Sequence, residues 1–154
     1  MDPTQNAQKQ KVRLTISPQA EKYVRADAPV MMRRMAARAA VPLPPIELAT
    51  VLFALLHDTD EEVRSNAKQS LVDLPDSLCT TVLSGDAHPA VLHYLAKICQ
   101  NNAERTELIA LNAATDDATI TFLATLPHRR VVEIIAQNQT RMLRCPAIVD
   151  ALGN

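Results

Sequence analysis

Helix-start signals recur along this chain at short intervals, which restricts it to many small helices that must pack on one another. Ser17-Pro18 pairs an N-cap residue with a proline at the first helical position, where the N–H that proline lacks would be unpaired anyway. Pro29 opens a second segment expected to run to about Ala40. The connector Val41-Pro42-Leu43-Pro44-Pro45 opens a third, to about His57. Pro75, Pro89, Pro127 and Pro146 mark further starts. Thr59-Asp60-Glu61-Glu62 reads as a capping box in which Thr59 caps and Glu62 reaches back, and Thr115-Asp116-Asp117 reads as another cap. The expectation is roughly ten helices of about 9 to 14 residues, each marginal in water without packing partners.

Composition agrees with helices rather than sheets. The chain has 2 Gly, no Trp and 3% aromatic residues, so it lacks both the turn glycines and the β-formers of a sheet protein. Its Ala and Leu favour helix. With 154 residues, 47% of them hydrophobic, it is long enough for one domain with a core that needs neither disulfide nor metal.

Short helices in series form either a bundle or a stacked array, and internal spacing separates the two. A shift of 28 residues aligns Leu55, Leu83 and Leu111, then Ala54, Val82 and Ala110, then Val63, Val91 and Thr119, and also Asp58 with Asp86. A shift of 26 places Leu108-Ile109-Ala110 on Ile134-Ile135-Ala136 and Asn112 on Asn138. A register sustained over three or four units is the mark of a repeat array, in which each helical hairpin covers its neighbour's apolar face.

The segment Leu56-His57-Asp58-Thr59-Asp60-Glu61-Glu62-Val63-Arg64-Ser65-Asn66-Ala67-Lys68-Gln69-Ser70-Leu71 resembles the junction and second helix of a HEAT repeat, with an acidic turn, Val-Arg, then Ala and Leu at helical spacing. From about Leu78 to Leu152 the units look more like the bacterial leucine-rich repeat variant, with an Ala-x-Asn corner at Ala110-Leu111-Asn112 and Ala136-Gln137-Asn138. The repeat length departs from that variant, and the clustered cysteines of its iron–sulfur member are absent. The resemblance covers about residues 44 to 152. It implies an all-α chain folded as a right-handed, HEAT-like α-solenoid of about four short hairpins, preceded by one or two N-terminal helices and used for macromolecular contact. The expected organisation is a disordered arm over residues 1–12, basic helices or a cap over 13–43, and a helical repeat domain over 44–154.

Charge is unevenly spread. Residues 1 to 40 carry net +5 and the remainder net -6, for a total of -1. No global field marks a nucleic-acid binder. Three widely spaced cysteines, Cys79, Cys99 and Cys145, read as free, mostly buried thiols of a reducing compartment. No signal peptide or membrane span is evident, and the longest apolar run lies near Val51 to Leu56. These features point to a cytoplasmic protein.

Chemistry finds little to work with. With two glycines there is no phosphate loop and no nucleophile elbow. His57, His88, His93 and His128 are scattered without metal-ligand spacing, and the cysteines lack zinc spacing. The acidic clusters sit at helix starts, where capping explains them. No catalytic, cofactor-binding or metal-binding residue is assigned, and no cofactor is expected.

Two basic groups remain as possible partner-binding sites. Residues 28 to 40 place Met31, Met32, Met35, Ala36 and Ala39 along one helical face and Arg33, Arg34 and Arg38 towards the other. Adaptable methionines and arginine forks suit a binding element, and a first core helix is the plainer alternative. Arg129, Arg130, Arg141 and Arg144 frame the last hairpin, where they would either converge on an acidic partner or stand as ordinary surface charge. The reading drawn is a non-enzymatic scaffold or adaptor that binds a protein partner. The alternatives are a nucleic-acid-binding HEAT-like protein of the DNA glycosylase kind, and a peripheral membrane protein attached through its basic helix. Against the first stand the acidic repeat region and the dearth of aromatic side chains for stacking.

Overall fold

A computed structural model describes residues 16–153. The arm expected over residues 1–12 lies outside the described residues. Eleven helices follow one another, with no strand among the described residues: α1 (Pro18–Glu21), α2 (Val30–Ala37), α3 (Pro45–Leu55), α4 (Glu61–Val72), α5 (Asp76–Ser84), α6 (Pro89–Ile98), α7 (Ala103–Leu111), α8 (Asp117–Ala124), α9 (Arg129–Ala136), α10 (Gln139–Arg144) and α11 (Pro146–Leu152). The helices group into two compact units, one up to Leu71 and one from Val72 onward.

Helix starts follow the expected physics, with one change of partner. Ser17 Oγ accepts from Ala20 N at 3.3 Å, one residue ahead of Pro18. Prolines also occupy the first turns of α3, α6 and α11. Asp116 Oδ1 accepts from Thr119 N at 2.9 Å. At α4, however, the cap is Asp60 and not Thr59: Asp60 Oδ2 accepts from Val63 N at 3.1 Å, and Asp58 Oδ1 accepts from Asp60 N at 2.9 Å. A carboxylate is the stronger acceptor beside the positive end of the helix, and Glu62 is drawn away to Arg34 at 2.9 Å. Asn102 and Asn138 cap α7 and α10 by accepting from Arg105 N at 3.0 Å and Arg141 N at 3.1 Å. Neither start is flagged by proline.

In the first unit α3 is the central helix, packed by α1 and α2. It buries Leu48, Ala49, Thr50, Val51, Leu52 and Leu55, and the one polar member, Thr50, satisfies its hydroxyl on Ile46 O at 2.7 Å. Each large aliphatic side chain withdrawn here contributes about 1.5–3 kcal/mol relative to exposure. α4 is amphipathic in the ordinary way, with Val63, Ala67 and Leu71 buried at four-residue steps. Ser70 Oγ donates to Ala37 O at 2.6 Å, tying α4 to the end of α2. α2 itself stops at Ala37, short of the expected Ala40, because Ala39 turns into the left-handed region at φ 59° and Ala40 N closes the helix on Met35 O at 3.0 Å. Such a cap favours glycine, and this glycine-poor chain tolerates alanine there at a cost of about 1–2 kcal/mol.

The second unit alternates. α5 packs on α7 and α7 on α9, forming one row of helices, while α6 packs on α8 and α8 on α11, forming another. α6, α7, α8 and α9 also touch in sequence, which joins the rows. The extra short helix α10 packs on α11 and displaces it by one place in the order. The core between the rows holds Val82, Leu83, Val91, Leu92, Leu95, Ile109, Ile120, Leu123, Val131, Ile135 and Ile148. Val91 and Thr119, aligned with Val63 by the 28-residue spacing, are as fully buried as it is. Leu111 breaks its series: Leu55 and Leu83 are buried, but Leu111 is 67% exposed.

Candidate functional site

Hydrogen bonds between distant side chains and backbones recur at one separation. In the second unit they join Arg105 to Asp76, Asn112 to Leu83 and Gly85, His93 to Thr119, His128 to Gln100, and Arg144 to Asp117, with separations of 26 to 29 residues. Each link therefore spans about one hairpin. Asn112, at the end of α7, is the most invested. Its Nδ2 donates to Leu83 O at 2.7 Å and Gly85 O at 2.8 Å, while its Oδ1 accepts from Ala114 N at 2.9 Å. The amide thereby satisfies two carbonyls at the end of α5, a helix terminus that would otherwise need water.

The eight residues singled out from sequence have different fates. On α2 the observed faces cut across the expected pair, with Arg33 beside Ala36 inside and Arg38 with Met31 and Met35 outside. Arg33, Ala36 and Ala37 are buried, whereas Met31 and Met35 are exposed. Arg33 donates Nε to Ala28 O at 3.1 Å and pairs through Nη1 with Asp58. This ion pair is largely withdrawn from solvent, with side chains 11% and 6% exposed. The pair also receives Asp60 N on Asp58 Oδ1, so the acidic turn before α4 is organised around a buried guanidinium. A helical pattern of methionine and alanine cannot reveal this, since the deciding carboxylate lies 25 residues away. Arg34 spans Asp60 Oδ2 at 3.3 Å and Glu62 Oε2 at 2.9 Å, and its hydrogen bond holds the Asp60 carboxyl below the usual range. Arg38 is exposed.

The four arginines of the last helices do not assemble into one cationic patch. Arg141 is buried, donating Nη1 to Asp117 Oδ1 at 3.2 Å and Nη2 to Asn112 O at 3.3 Å. Arg144 is more exposed and grips the same carboxylate by two bonds of 2.8 Å. Asp117, with Arg144 hydrogen-bonded to it and both guanidinium groups near, titrates below the ordinary carboxylate range. Arg129 pairs with Glu133 one turn along α9 at 3.2 Å, and Arg130 approaches Glu107 at 3.8 Å. Both are open to solvent.

An exposed apolar feature sits beside this network. Leu111 stands between two shallow depressions of the second unit. One, of about 430 Å³, is lined by Leu111, Ile134, Ile135 and the polar run Gln137 to Arg141. The other, of about 480 Å³, runs from Ser84-Gly85-Asp86 to Asn112-Ala113-Ala114. The first floor is aliphatic and its rim presents amide side chains. In the sequence Leu111 stands both in the Ala-x-Asn corner and in the 28-residue series with Leu55 and Leu83, and neither signal sets its exposure.

Among the described residues no group of three His, Cys, Asp or Glu side chains gathers as metal ligands would, and no helix is long and apolar enough to cross a membrane. The chain matches no protein-family model, and neither a curated protein nor a solved structure matches it.

Proposed function

We propose that the second unit is a stretch of right-handed α-solenoid, HEAT-like in its construction, and that the chain is a non-enzymatic scaffold or adaptor that binds another protein. Three features support the architecture: two rows of helices, packing between every second helix from α5 to α9, and polar links offset by one hairpin. The binding reading is carried by Leu111, a large aliphatic side chain 67% exposed between two depressions with amide groups on the rim. An apolar anchor with hydrogen-bonding groups around it suits a polypeptide that offers an aliphatic side chain and backbone amides. Arginine–phosphate recognition has less to draw on, because Arg33, Arg34, Arg141 and Arg144 already hold carboxylates.

The test compares the wild-type chain with Leu111→Asp as immobilised bait in extract of the source organism, with Leu143→Asp, an exposed position outside both depressions, as control. Leu111→Asp is expected to leave the unfolding free energy within about 0.5 kcal/mol, as surface changes do. It should remove proteins that the wild type and Leu143→Asp both retain. If every captured protein survives Leu111→Asp, or if the wild type instead shifts duplex DNA in a salt-sensitive manner, the reading is wrong.

A further inference from the structure

Among the described residues two charged side chains line the pair of depressions beside Leu111: Arg141 in the first and Asp86 in the second. The Arg141 cation is already committed. It is buried and donates to Asp117 Oδ1 at 3.2 Å and to Asn112 O at 3.3 Å. Asp86 is exposed, and no described residue pairs with its carboxylate or hydrogen-bonds to it. The remaining polar groups of the lining are neutral amides and hydroxyls, among them Gln137, Gln139 and Ser84. The uncommitted charge of the site is therefore negative.

The first unit shows the same position with a partner in place. The 28-residue spacing aligns Asp86, in the turn between α5 and α6, with Asp58, in the turn between α3 and α4. Asp58 receives Nη1 of Arg33, from the helix that precedes its hairpin. The residue 28 places after Arg33 is Glu61, so the equivalent position carries an acid where Asp86 would need a base. Asp58 is matched by a guanidinium of this chain, and Asp86 is not. Arginine suits such a carboxylate better than lysine does, because its planar fork presents two parallel N–H donors.

An aliphatic neighbour follows from the rest of the lining. Leu111 borders both depressions, and Ile134 and Ile135 continue the apolar floor of the first. Asp86 and Leu111 share the second depression, whose volume of about 480 Å³ corresponds to a width of about 8 Å, the reach of two or three extended residues.

We propose, resting on the reading of these depressions as a polypeptide site, that they take a segment bearing an arginine two or three residues from a leucine, isoleucine or valine. The guanidinium pairs with Asp86 as Arg33 pairs with Asp58. The aliphatic side chain covers Leu111, and the Gln137 and Gln139 amides meet the backbone of the segment. The apolar contact supplies most of the affinity. The ion pair supplies selection, since a pair open to solvent is worth a factor of about two to five.

The probes are immobilised decapeptides of glycine and serine that carry one leucine and, three places on, arginine, glutamine or glutamate. Binding of the labelled full-length chain to each is measured at low and at moderate salt. The wild type is expected to hold the leucine–arginine peptide about two- to five-fold more tightly than the leucine–glutamine peptide, with a margin that shrinks as salt rises. Asp86→Asn should bring the two peptides to one level. Asp86→Lys should reverse the order, so that the leucine–glutamate peptide is held best. Leu111→Ser should weaken all three. A wild type that shows no preference for arginine, including one that holds no peptide, overturns the proposal, as does an Asp86→Lys chain that still prefers arginine. The first of these measurements uses the unsubstituted chain and does not depend on how a variant folds. Peptide binding that survives Leu111→Ser overturns the polypeptide reading itself, whereas binding that needs Leu111 but shows no arginine margin overturns only the chemistry assigned to the segment.

Discussion

The two units solve one problem in different ways. Each ties the start of one helix to another helix about a hairpin away in sequence, and each uses arginine and aspartate. In the first, Arg33 and Asp58 are both withdrawn from water, and the turn before α4 is arranged around them. In the second, Asp117 remains 27% exposed and shares itself between buried Arg141 and solvated Arg144, while a neutral side chain, Asn112, ties the end of α7 to the end of α5. Charge placed inside specifies one geometry but punishes any loss of a partner. Charge placed at the edge gives less and loses less. The first unit should therefore be brittle to single changes at its ion pair, and the second should depend on its amide more than on its arginines.

Removing one member of the buried pair is the severest test. Arg33→Ala leaves the Asp58 carboxylate without its cation and is expected to cost about 3–5 kcal/mol in denaturant unfolding. The double variant Arg33→Met with Asp58→Asn keeps an acceptor for Asp60 N and should recover most of that loss. A single-variant cost under about 1 kcal/mol would erase the contrast between the units.

Next in size is Asn112→Ala. It strips the donors from Leu83 O and Gly85 O and the acceptor from Ala114 N, and should cost about 1–3 kcal/mol. Arg144→Ala, at the exposed end of the second network, should cost at most about 1 kcal/mol and less in high salt. If Arg144→Ala proves more damaging than Asn112→Ala, the second unit relies on charge after all.

The smallest effect is in the pH dependence. Because the native Asp117 carboxyl titrates below its unfolded value, it contributes stability that is complete above about pH 3.9. That contribution disappears as pH falls through the lower native value. Asp117→Asn should lack this part of the acid destabilisation while behaving as the wild type does near neutrality in its slope with pH. Identical acid limbs for the two proteins would remove Asp117 from the stability account.

What could be read from sequence was what local chemistry decides. Proline at a first helical turn is fixed by its own ring, so α1, α3, α6 and α11 begin where Pro18, Pro45, Pro89 and Pro146 place them. The all-helical class followed from few glycines and few β-formers. The starts at Asn102 and Asn138 were readable in principle, since asparagine is a strong N-cap, but neither is marked by proline, and only Asn102 has an acid, Glu104, in the turn that follows. The buried place of Arg33 on α2 is a different case. Its inward arginine is chosen by Asp58, and the periodicity along α2 cannot contain a residue from beyond that helix. Leu111 shares its place in the 28-residue spacing with buried Leu55 and Leu83, but such spacing does not fix exposure, and Leu111 is open to solvent.

Asn112 has a consequence on the timescale of storage rather than folding. Its nitrogen faces two carbonyl oxygens, so hydrolysis of this one amide to a carboxylate would set oxygen against oxygen and add a negative charge where two donors had been. The deamidated molecule, separable by its extra charge, is expected to unfold at lower denaturant than fresh protein. One slow covalent event would turn a clasp into a wedge, and the chain would age from that corner.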